Sequence, residues 1–162
     1  MKFIRLSIIF FVLTILLSSH DAYSKAKTSI RMAQDLSSIA GSQTNKPKIV
    51  LLYIAALECP HCKRLEKDII LPMLSNAKYR NLVEIYKVNL DSTRKLVNFK
   101  AESLSSNRFA AQLQAKVTPS LLFMSPTGEE LTTRLIGYQG DEFYWYQLDE
   151  KIKLAYKGLN AK

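Results

Sequence analysis

Residues 49–62 read Ile-Val-Leu-Leu-Tyr-Ile-Ala-Ala-Leu-Glu-Cys-Pro-His-Cys, and this stretch decides the fold. Its first six residues, 49–54, form a continuous apolar run of strand length, which is typical of a central strand buried on both faces. In its last four residues Cys59 and Cys62 are separated by two residues, and the chain has no other cysteine. A pair at this spacing either closes a small redox-active disulfide or supplies half of a metal site.

The residues after the cysteine pair, 63–70, predict a helix with Cys59 at or just before its first turn. Unpaired backbone N–H groups and the positive end of the helix dipole favour a thiolate over a thiol at that position. Because the thiolate is the nucleophile in disulfide exchange, this placement lowers the cost of forming the reactive species. We therefore interpret the chain as a redox protein.

The beginning of the chain predicts export. Lys2 and Arg5 precede an uncharged, largely apolar run at 6–19, and small residues follow at Ala22 and Ser24, spaced like a cleavage site. The run is shorter than the roughly 20 apolar residues that a membrane-spanning helix needs, so a retained anchor is the weaker alternative. We expect a signal peptide at 1–24, cleaved near Ser24, and a domain at 25–162 in an exported compartment where disulfides persist.

Length and charge exclude several classes of protein. The part of the chain after the signal is long enough for one domain with a core and too short for two. The signal contains two positive charges and one negative charge, so its removal changes the net charge from +9 to +8. The lysines and arginines are spread along the chain and no nucleic-acid motif accompanies them, so we expect a solvated basic surface and no nucleic-acid partner.

The rest of the chain predicts alternating elements of an α/β fold, in the order αβαβαββα. The assignments use helical and strand periodicity, with Pro72 and the Pro126–Gly128 turn as boundaries. The predicted elements are a helix at 29–40, a strand at 49–54, a helix from the cysteines to 71, a short helix at 72–80, a strand at 83–90, a helix at 106–115, strands at 120–124 and 131–136, and a last helix capped by Asp141 whose inner stripe is Trp145, Leu148, Ile152 and Ala155.

This order, with Cys-x-x-Cys at the end of the first central strand, resembles the thioredoxin fold, a central mixed β-sheet flanked by helices in a single domain. The resemblance covers about 48–158, and 29–41 resembles the family's first helix. Val117-Thr118-Pro119 resembles the family's cis-proline loop, which lies against the disulfide and pairs with an incoming peptide. Gly137 stands where the family has a glycine beside the active site. The resemblance thus implies substrate-binding roles for Thr118, Pro119 and Gly137.

The motifs and the length of the chain resemble different kinds of thioredoxin-like protein. Cys-Pro-His-Cys resembles the oxidase of the bacterial periplasm, and a threonine before the proline resembles the disulfide isomerases. The stretch from Cys62 to Pro119 is too short for the helical domain of that oxidase, and the residues before 48 resemble no dimerisation domain. The chain most resembles the small exported thioredoxin-like proteins, such as those of the SoxW type.

This resemblance implies a monomeric periplasmic thiol-disulfide oxidoreductase without a cofactor. Its partners would be protein thiols and disulfides, together with a redox partner in the membrane or the periplasm. It would act as a reductant or a general exchange protein, and the alternative within the same chemistry is a dedicated disulfide oxidant.

The four residues of the motif have separate expected roles. Cys59 should attack a substrate disulfide or be the sulfur attacked, and Cys62 should resolve the mixed disulfide. Pro60 fixes the turn, while His61, when protonated, favours the Cys59 thiolate. A stabilised thiolate stabilises the reduced form and makes the disulfide more oxidising. His61 therefore favours an oxidant, whereas the architecture favours a reductant.

One position departs from the family pattern. Thioredoxins and the periplasmic oxidase carry a buried acid six residues before the first cysteine, where it helps to move protons, and here that residue is Tyr53. A tyrosine is a poor general base at neutral pH. Proton transfer from Cys62 would then use Glu58, Lys63, water or no specific group.

Two other classes of function use the same cysteines. A closed zinc site needs four ligands, and Cys59, His61 and Cys62 supply three on a single turn. We therefore expect no resident metal, although a copper carrier with two thiolate ligands is an alternative. A folded adaptor with a structural disulfide is the other alternative, but so short a ring contributes little through loop closure.

Overall fold

A computed structural model of the protein describes residues 29–42, 46–140 and 142–161. The predicted signal peptide and the predicted Asp141 cap lie outside the described residues. Within the described part of the chain, no helix is both long enough and apolar enough to cross a membrane.

A five-stranded mixed sheet with the order β1-β3-β2-β6-β7 forms the centre of the fold. Both β1 and β2 run parallel to β3, whereas β6 runs antiparallel to β2 and β7. The strands are β1 (Arg31–Met32), β2 (Ile49–Ala55), β3 (Val83–Asn89), β6 (Ser120–Met124) and β7 (Glu130–Ile136), and a separate small hairpin consists of β4 (Lys95–Val97) and β5 (Ser103–Ser105).

Helices flank this sheet, which confirms the predicted α/β class and the thioredoxin-like architecture. The helices are α1 (Ser38–Ser42), α2 (Pro60–Leu65), α3 (Leu71–Ser75), α4 (Ala77–Arg80), α5 (Ser106–Gln112) and α6 (Glu142–Asn160). A single π turn, Glu66–Ile70, joins α2 to α3, so the backbone is continuously helical from Pro60 to Ser75.

The central strand β2 is buried along its whole length, as its apolar run predicts. Ile49, Leu51 and Tyr53 belong to the core cluster that includes both cysteines and residues of α6. Val50, Leu52 and Ile54 belong to the cluster on the other side, with residues of α1 and α5. Because neighbouring strands and two layers of side chains hold β2 in place, the chain that leaves its carboxyl end is well positioned for a rigid site.

The predicted first helix at 29–40 is wrong for residues 29–37. Arg31 and Met32 form β1 and pair in parallel with β3, and the Ala33 N–H donates to the Lys87 carbonyl at 2.9 Å. The helix begins only at Ser38, after an Asp35 carboxylate that accepts from backbone N–H groups at 2.9 and 3.3 Å. The edge of β3 provides hydrogen-bond partners for an extended backbone at Arg31 and Met32. This pairing outweighs the helical spacing of the apolar residues.

The predicted boundary at Pro72 is right in part: Pro72 lies in the first turn of α3, but the backbone stays helical there. The helix runs through Pro72 to Ser75, and the Leu71 N–H donates to the Glu66 carbonyl five residues back. Proline has no N–H, and its ring crowds the carbonyl four residues earlier, so a widened turn accommodates it. The interruption comes instead at Asn76, whose side chain accepts from the Lys78 N–H at 2.9 Å and caps α4.

The remaining differences are smaller. The residues between the predicted strand at 83–90 and the predicted helix at 106–115 contain the β4–β5 hairpin, and that helix ends at Gln112. The predicted β6–β7 hairpin is confirmed. In α6 the buried stripe begins with Tyr144 rather than Trp145, because Trp145 lies at the edge of the stripe, where its ring is 5.8 Å from that of Tyr79.

Candidate active site

Cys59 and Cys62 form a disulfide at the start of α2, with an S–S distance of 2.09 Å. Cys59 is the N-cap, in an extended conformation with φ −125° and ψ 100°, and Pro60 is the first helical residue. A proline is well suited to this position because its missing N–H would have no helical partner there. The structure therefore places Cys59 and Pro60 at the helix start, as predicted.

Two donors point at the Cys59 sulfur. The Cys62 N–H donates to Cys59 Sγ at 3.1 Å, and the Thr118 hydroxyl donates to the same sulfur at 3.5 Å. Hydrogen bonds to a charged form lower its free energy, so in the reduced protein these donors favour the Cys59 thiolate. Cys59 is 7% exposed as a residue against 2% for Cys62, so both are buried and Cys59 is less exposed than its predicted role suggests.

His61 occupies the second helical position, and its side chain is exposed next to the disulfide. From there it can influence the sulfurs electrostatically through solvent, where charges are strongly screened.

The predicted cis-proline loop lies against the disulfide. The Thr118–Pro119 peptide bond is cis, as predicted, and the Thr118 hydroxyl contacts the Cys59 sulfur. Gly137, with a φ of +78°, donates its N–H to the Pro119 carbonyl at 2.8 Å. Only glycine adopts such a φ easily. The end of β7 is therefore joined to the loop that touches Cys59, where Thr118 and Gly137 are partly exposed and Pro119 is buried.

Three exposed apolar side chains adjoin this surface in sequence. Leu57 precedes Cys59 by two residues and is 59% exposed, Val117 precedes Thr118 and is 52% exposed, and Ile136 precedes Gly137 and is 61% exposed.

The loop that leads into the disulfide is anchored by a residue that the sequence reasoning missed. The Leu57 N–H donates to both carboxylate oxygens of Asp91, at 3.2 and 3.0 Å. One residue earlier, the Leu90 N–H donates to the Ala55 carbonyl at 2.8 Å. Asp91 follows β3, and the carboxyl ends of parallel β2 and β3 meet at one edge of the sheet, which is the signal that could have identified it.

A polar network lies beneath the disulfide, formed by Tyr53, Glu66 and Lys87. The fully buried Tyr53 places its hydroxyl 2.9 Å from Glu66 Oε1 and 3.2 Å from the Cys62 carbonyl. Lys87 Nζ donates to the same Glu66 oxygen at 2.7 Å. Burial, reinforced by the charge of Glu66, raises the pKa of Tyr53 far above its ordinary value, so this hydroxyl keeps its proton.

The two side chains named as alternatives for proton transfer are largely exposed. Glu58 and Lys63 form a surface ion pair at 3.8 Å, with side chains 94% and 71% exposed. Glu66, which the sequence reasoning missed, lies four residues after Cys62 on the same helix. That i, i+4 spacing puts two residues on one helical face and is the signal that could have revealed it.

Metal ligation has little support among the described side chains. In residues 29–42, 46–140 and 142–161, no group of three or more His, Cys, Asp or Glu side chains is arranged to hold a metal ion.

Comparison with known proteins agrees with this geometry. Residues 34–151 match the family model of the thioredoxin-like domain. No curated protein matches the sequence significantly.

Three solved structures share the fold. Trxlp from Edwardsiella tarda superposes with a TM-score of 0.53 at 22% identity, covering 74% of this chain and 98% of its own. Thioredoxin O2 from Arabidopsis thaliana gives 0.51 at 18% identity, covering 79% and 95%. The DsbH oxidoreductase gives 0.53 at 14% identity, covering 78% and 88%. Identities this low show a common fold alone, and the SoxW type stays a prediction.

The family match spans more than half of the chain and includes β2, the cysteine pair and the Thr118–Pro119 loop. Together with the disulfide at the helix start, it establishes the family and the general reaction. The chain belongs to the thioredoxin-like domain family and is a thiol-disulfide oxidoreductase.

Proposed function

We propose that this protein is an exported periplasmic enzyme that exchanges disulfides with other proteins, with Cys59 as the attacking sulfur and Cys62 as the resolving one. The observation that carries the proposal is the asymmetry of the pair. Cys59 is the slightly more exposed residue of the pair, and its sulfur receives hydrogen bonds from the Cys62 N–H and the Thr118 hydroxyl. Both features suit the sulfur that meets the substrate.

The reaction proceeds in two steps. The reduced Cys59 thiolate attacks one sulfur of a substrate disulfide, which forms a mixed disulfide and releases the other substrate sulfur as a thiolate that takes up a proton. Cys62 then attacks Cys59 Sγ, which forms the Cys59–Cys62 disulfide and releases the second substrate sulfur. Two electrons have then passed to the substrate, and a redox partner in the membrane or the periplasm restores the dithiol.

The substrate surface consists of Thr118, Pro119 and Gly137. Backbone polar groups of this loop pair with an extended segment of the substrate, and Pro119 contributes no N–H that would need a partner. The exposed side chains of Val117 and Ile136 extend the surface and support a protein substrate rather than a small thiol.

The proposed location rests on the sequence at 1–24, which has the basic start, apolar run and small residues of an export signal. In such a compartment a disulfide is formed and maintained, so a reductant there depends on a dedicated electron donor. We propose the domain to be 25–162, acting as a reductant or general exchange protein.

A dedicated oxidant is the second candidate, and the donors on Cys59 favour it. Whatever stabilises the Cys59 thiolate stabilises the reduced protein and raises the reduction potential. The potential of the Cys59/Cys62 pair separates the two functions, because strong oxidants lie near about −120 mV and thioredoxin near about −270 mV.

Cysteine variants test the assigned roles directly. Cys59→Ser should abolish exchange with a model protein disulfide. Cys62→Ser should accumulate a mixed disulfide through Cys59, visible by non-reducing electrophoresis and mass spectrometry. Equal residual turnover in both variants would overturn the assignment.

A further inference from the structure

The resolving step poses a proton problem in this site. Cys62 must lose its thiol proton before it attacks, yet it is only 2% exposed and Tyr53, below it, is fully buried. Water reaches such a sulfur poorly, and a buried thiol ionises with difficulty. An internal group that accepts the proton would remove this obstacle.

Glu66 is placed to be that group. It follows Cys62 by one helical turn, and side chains at this spacing have Cβ atoms about 5–6 Å apart on one face. Its backbone N–H donates to the Cys62 carbonyl, and its carboxylate binds the Tyr53 hydroxyl, which also lies 3.2 Å from that carbonyl. The Glu66 side chain is 25% exposed, so its carboxylate is in partial contact with solvent.

The groups that face Glu66 from the neighbouring elements cannot take the same role. Tyr53 of β2 keeps its proton and acts as a donor, since burial and the Glu66 charge raise its pKa. Lys87 of β3 donates to Glu66, and its ammonium lies 5.6 Å from the centre of the Tyr53 ring. Tyr144 of α6, which lies near enough to affect Tyr53, is also held neutral because burial raises its pKa. A carboxylate is therefore the acceptor that this layer contains.

We propose that Glu66 takes up the Cys62 proton during the resolving step, and that Tyr53 and Lys87 position its carboxylate. The proposal rests on the roles proposed above for Cys59 and Cys62. The proton of the Cys62 thiol passes to Glu66 while the Cys62 sulfur forms a bond with Cys59 Sγ. The bond between Cys59 and the substrate sulfur breaks, and that sulfur leaves with the electron pair and is protonated from solvent. Glu66 then returns its proton to solvent through its exposed part.

The test measures release of a fluorescent peptide thiol from a mixed disulfide with Cys59, by stopped flow between about pH 5 and pH 9. In Glu66→Gln, release should slow on the order of 100-fold near pH 6 to 7, the lower limit of general acid–base effects. The loss should recover towards about pH 9, because an ordinary thiol ionises near 8.5 without help. Restored release in Glu66→Asp would support the carboxylate itself as the acceptor.

Two variants separate this role from structure and from net charge. Glu150→Gln removes the same charge from an exposed ion pair with Lys153 on α6 and should keep the wild-type profile. Tyr53→Phe removes only the hydroxyl and keeps the buried ring, so it should slow release less than Glu66→Gln but over the same pH range. A wild-type profile in Tyr53→Phe would overturn its positioning role.

Three outcomes for Glu66→Gln would overturn the inference: an unchanged profile, equal slowing at every pH, or faster release near pH 6. Faster release near pH 6 would show that the substitution acts mainly through Lys87. Without the Glu66 carboxylate, the positive charge of Lys87 would favour the Cys62 thiolate. If wild-type Cys59 forms no mixed disulfide at all, the proposed function fails and this inference fails with it. If the wild-type protein forms and resolves the mixed disulfide and Glu66→Gln releases the peptide at the same rate, only the role of Glu66 is refuted.

Discussion

The contact between α4 and α6 can be tested by removing one hydroxyl, with Tyr79→Phe. The Tyr79 hydroxyl donates to Asp149 Oδ1 at 2.6 Å, and the Tyr79 side chain is 6% exposed. Lys78 donates to the other carboxylate oxygen at 3.1 Å. A helix as short as α4 has no stability of its own, so it depends on such tertiary contacts.

The expected loss follows from the geometry of this bond. A hydrogen bond to a charged group contributes about 1.5–3 kcal/mol to stability. Asp149 is 33% exposed on its side chain, so solvent screening places the value near the lower limit, about 1.5 kcal/mol. For a domain of this size such a loss lowers Tm by about 5 °C.

The effect should depend on pH in a defined direction. Burial alone would raise the pKa of Asp149, but hydrogen bonds from Tyr79 and Lys78 outweigh it and hold that pKa below its ordinary value. A depressed pKa contributes stability above the unfolded value, near 3.9 for aspartate, which is lost as pH falls through the folded value. The difference between wild type and Tyr79→Phe should thus be full at about pH 7 and shrink below about pH 4.

Urea denaturation of the oxidised protein at about pH 3 and about pH 7 measures the difference in free energy of unfolding between wild type and Tyr79→Phe. Tyr146→Phe is a matched control, because Tyr146 is on α6 but 63% exposed, and its free energy of unfolding should not change. In a double-mutant cycle, Asp149→Asn should remove most of the effect of Tyr79→Phe. An equal loss at about pH 3 and pH 7, or none at pH 7, would refute the reasoning.

Two further predictions concern the electrostatics of Cys59. Thr118→Val removes the hydroxyl donor 3.5 Å from the Cys59 sulfur while keeping the shape of the side chain, so the pKa of the Cys59 thiol should rise and the reduction potential should become more negative. The rate of Cys59 alkylation against pH measures the pKa, and an unchanged midpoint of that curve would contradict the prediction. His61→Gly should shift the potential in the same direction, by up to about 30 mV if the protonated ring stabilises the thiolate by about 1.4 kcal/mol. An unchanged potential in glutathione buffers would show that His61 is a bystander.

Local patterns explain what could be predicted. The apolar run of β2 has no polar position to place in solvent, so burial on both faces followed directly, and the cysteine pair after it located the site. The Pro126–Gly128 turn between two strand-like runs predicted the β6–β7 hairpin in the same way. Each of these signals lies within a few consecutive residues.

The parts that were missed depend on contacts between distant segments. Strand β1 is two residues long and exists because the edge of β3 accepts it, which no periodicity reveals. The polar network beneath the disulfide needs the β2–β3 register, which sets Tyr53 opposite Lys87, and the helix that brings Glu66 above them. A sequence contains these three residues but not the register that brings them together.

The π turn at Glu66–Ile70 has a consequence for comparing this protein with its relatives. At this point, one turn of the helix after the cysteines contains one residue more than a turn of a regular α-helix. Each residue of an α-helix advances by about 100° around the helix axis. In a relative without the π turn, residues that lie the same number of positions after Cys62 therefore point to a different face of the helix once the π turn has been passed. Positions up to Leu65 can be equated by counting from Cys62. From Leu71 onwards, roles such as the burial of Met73 must be transferred by superposition, because counting would assign them to the wrong side of the helix.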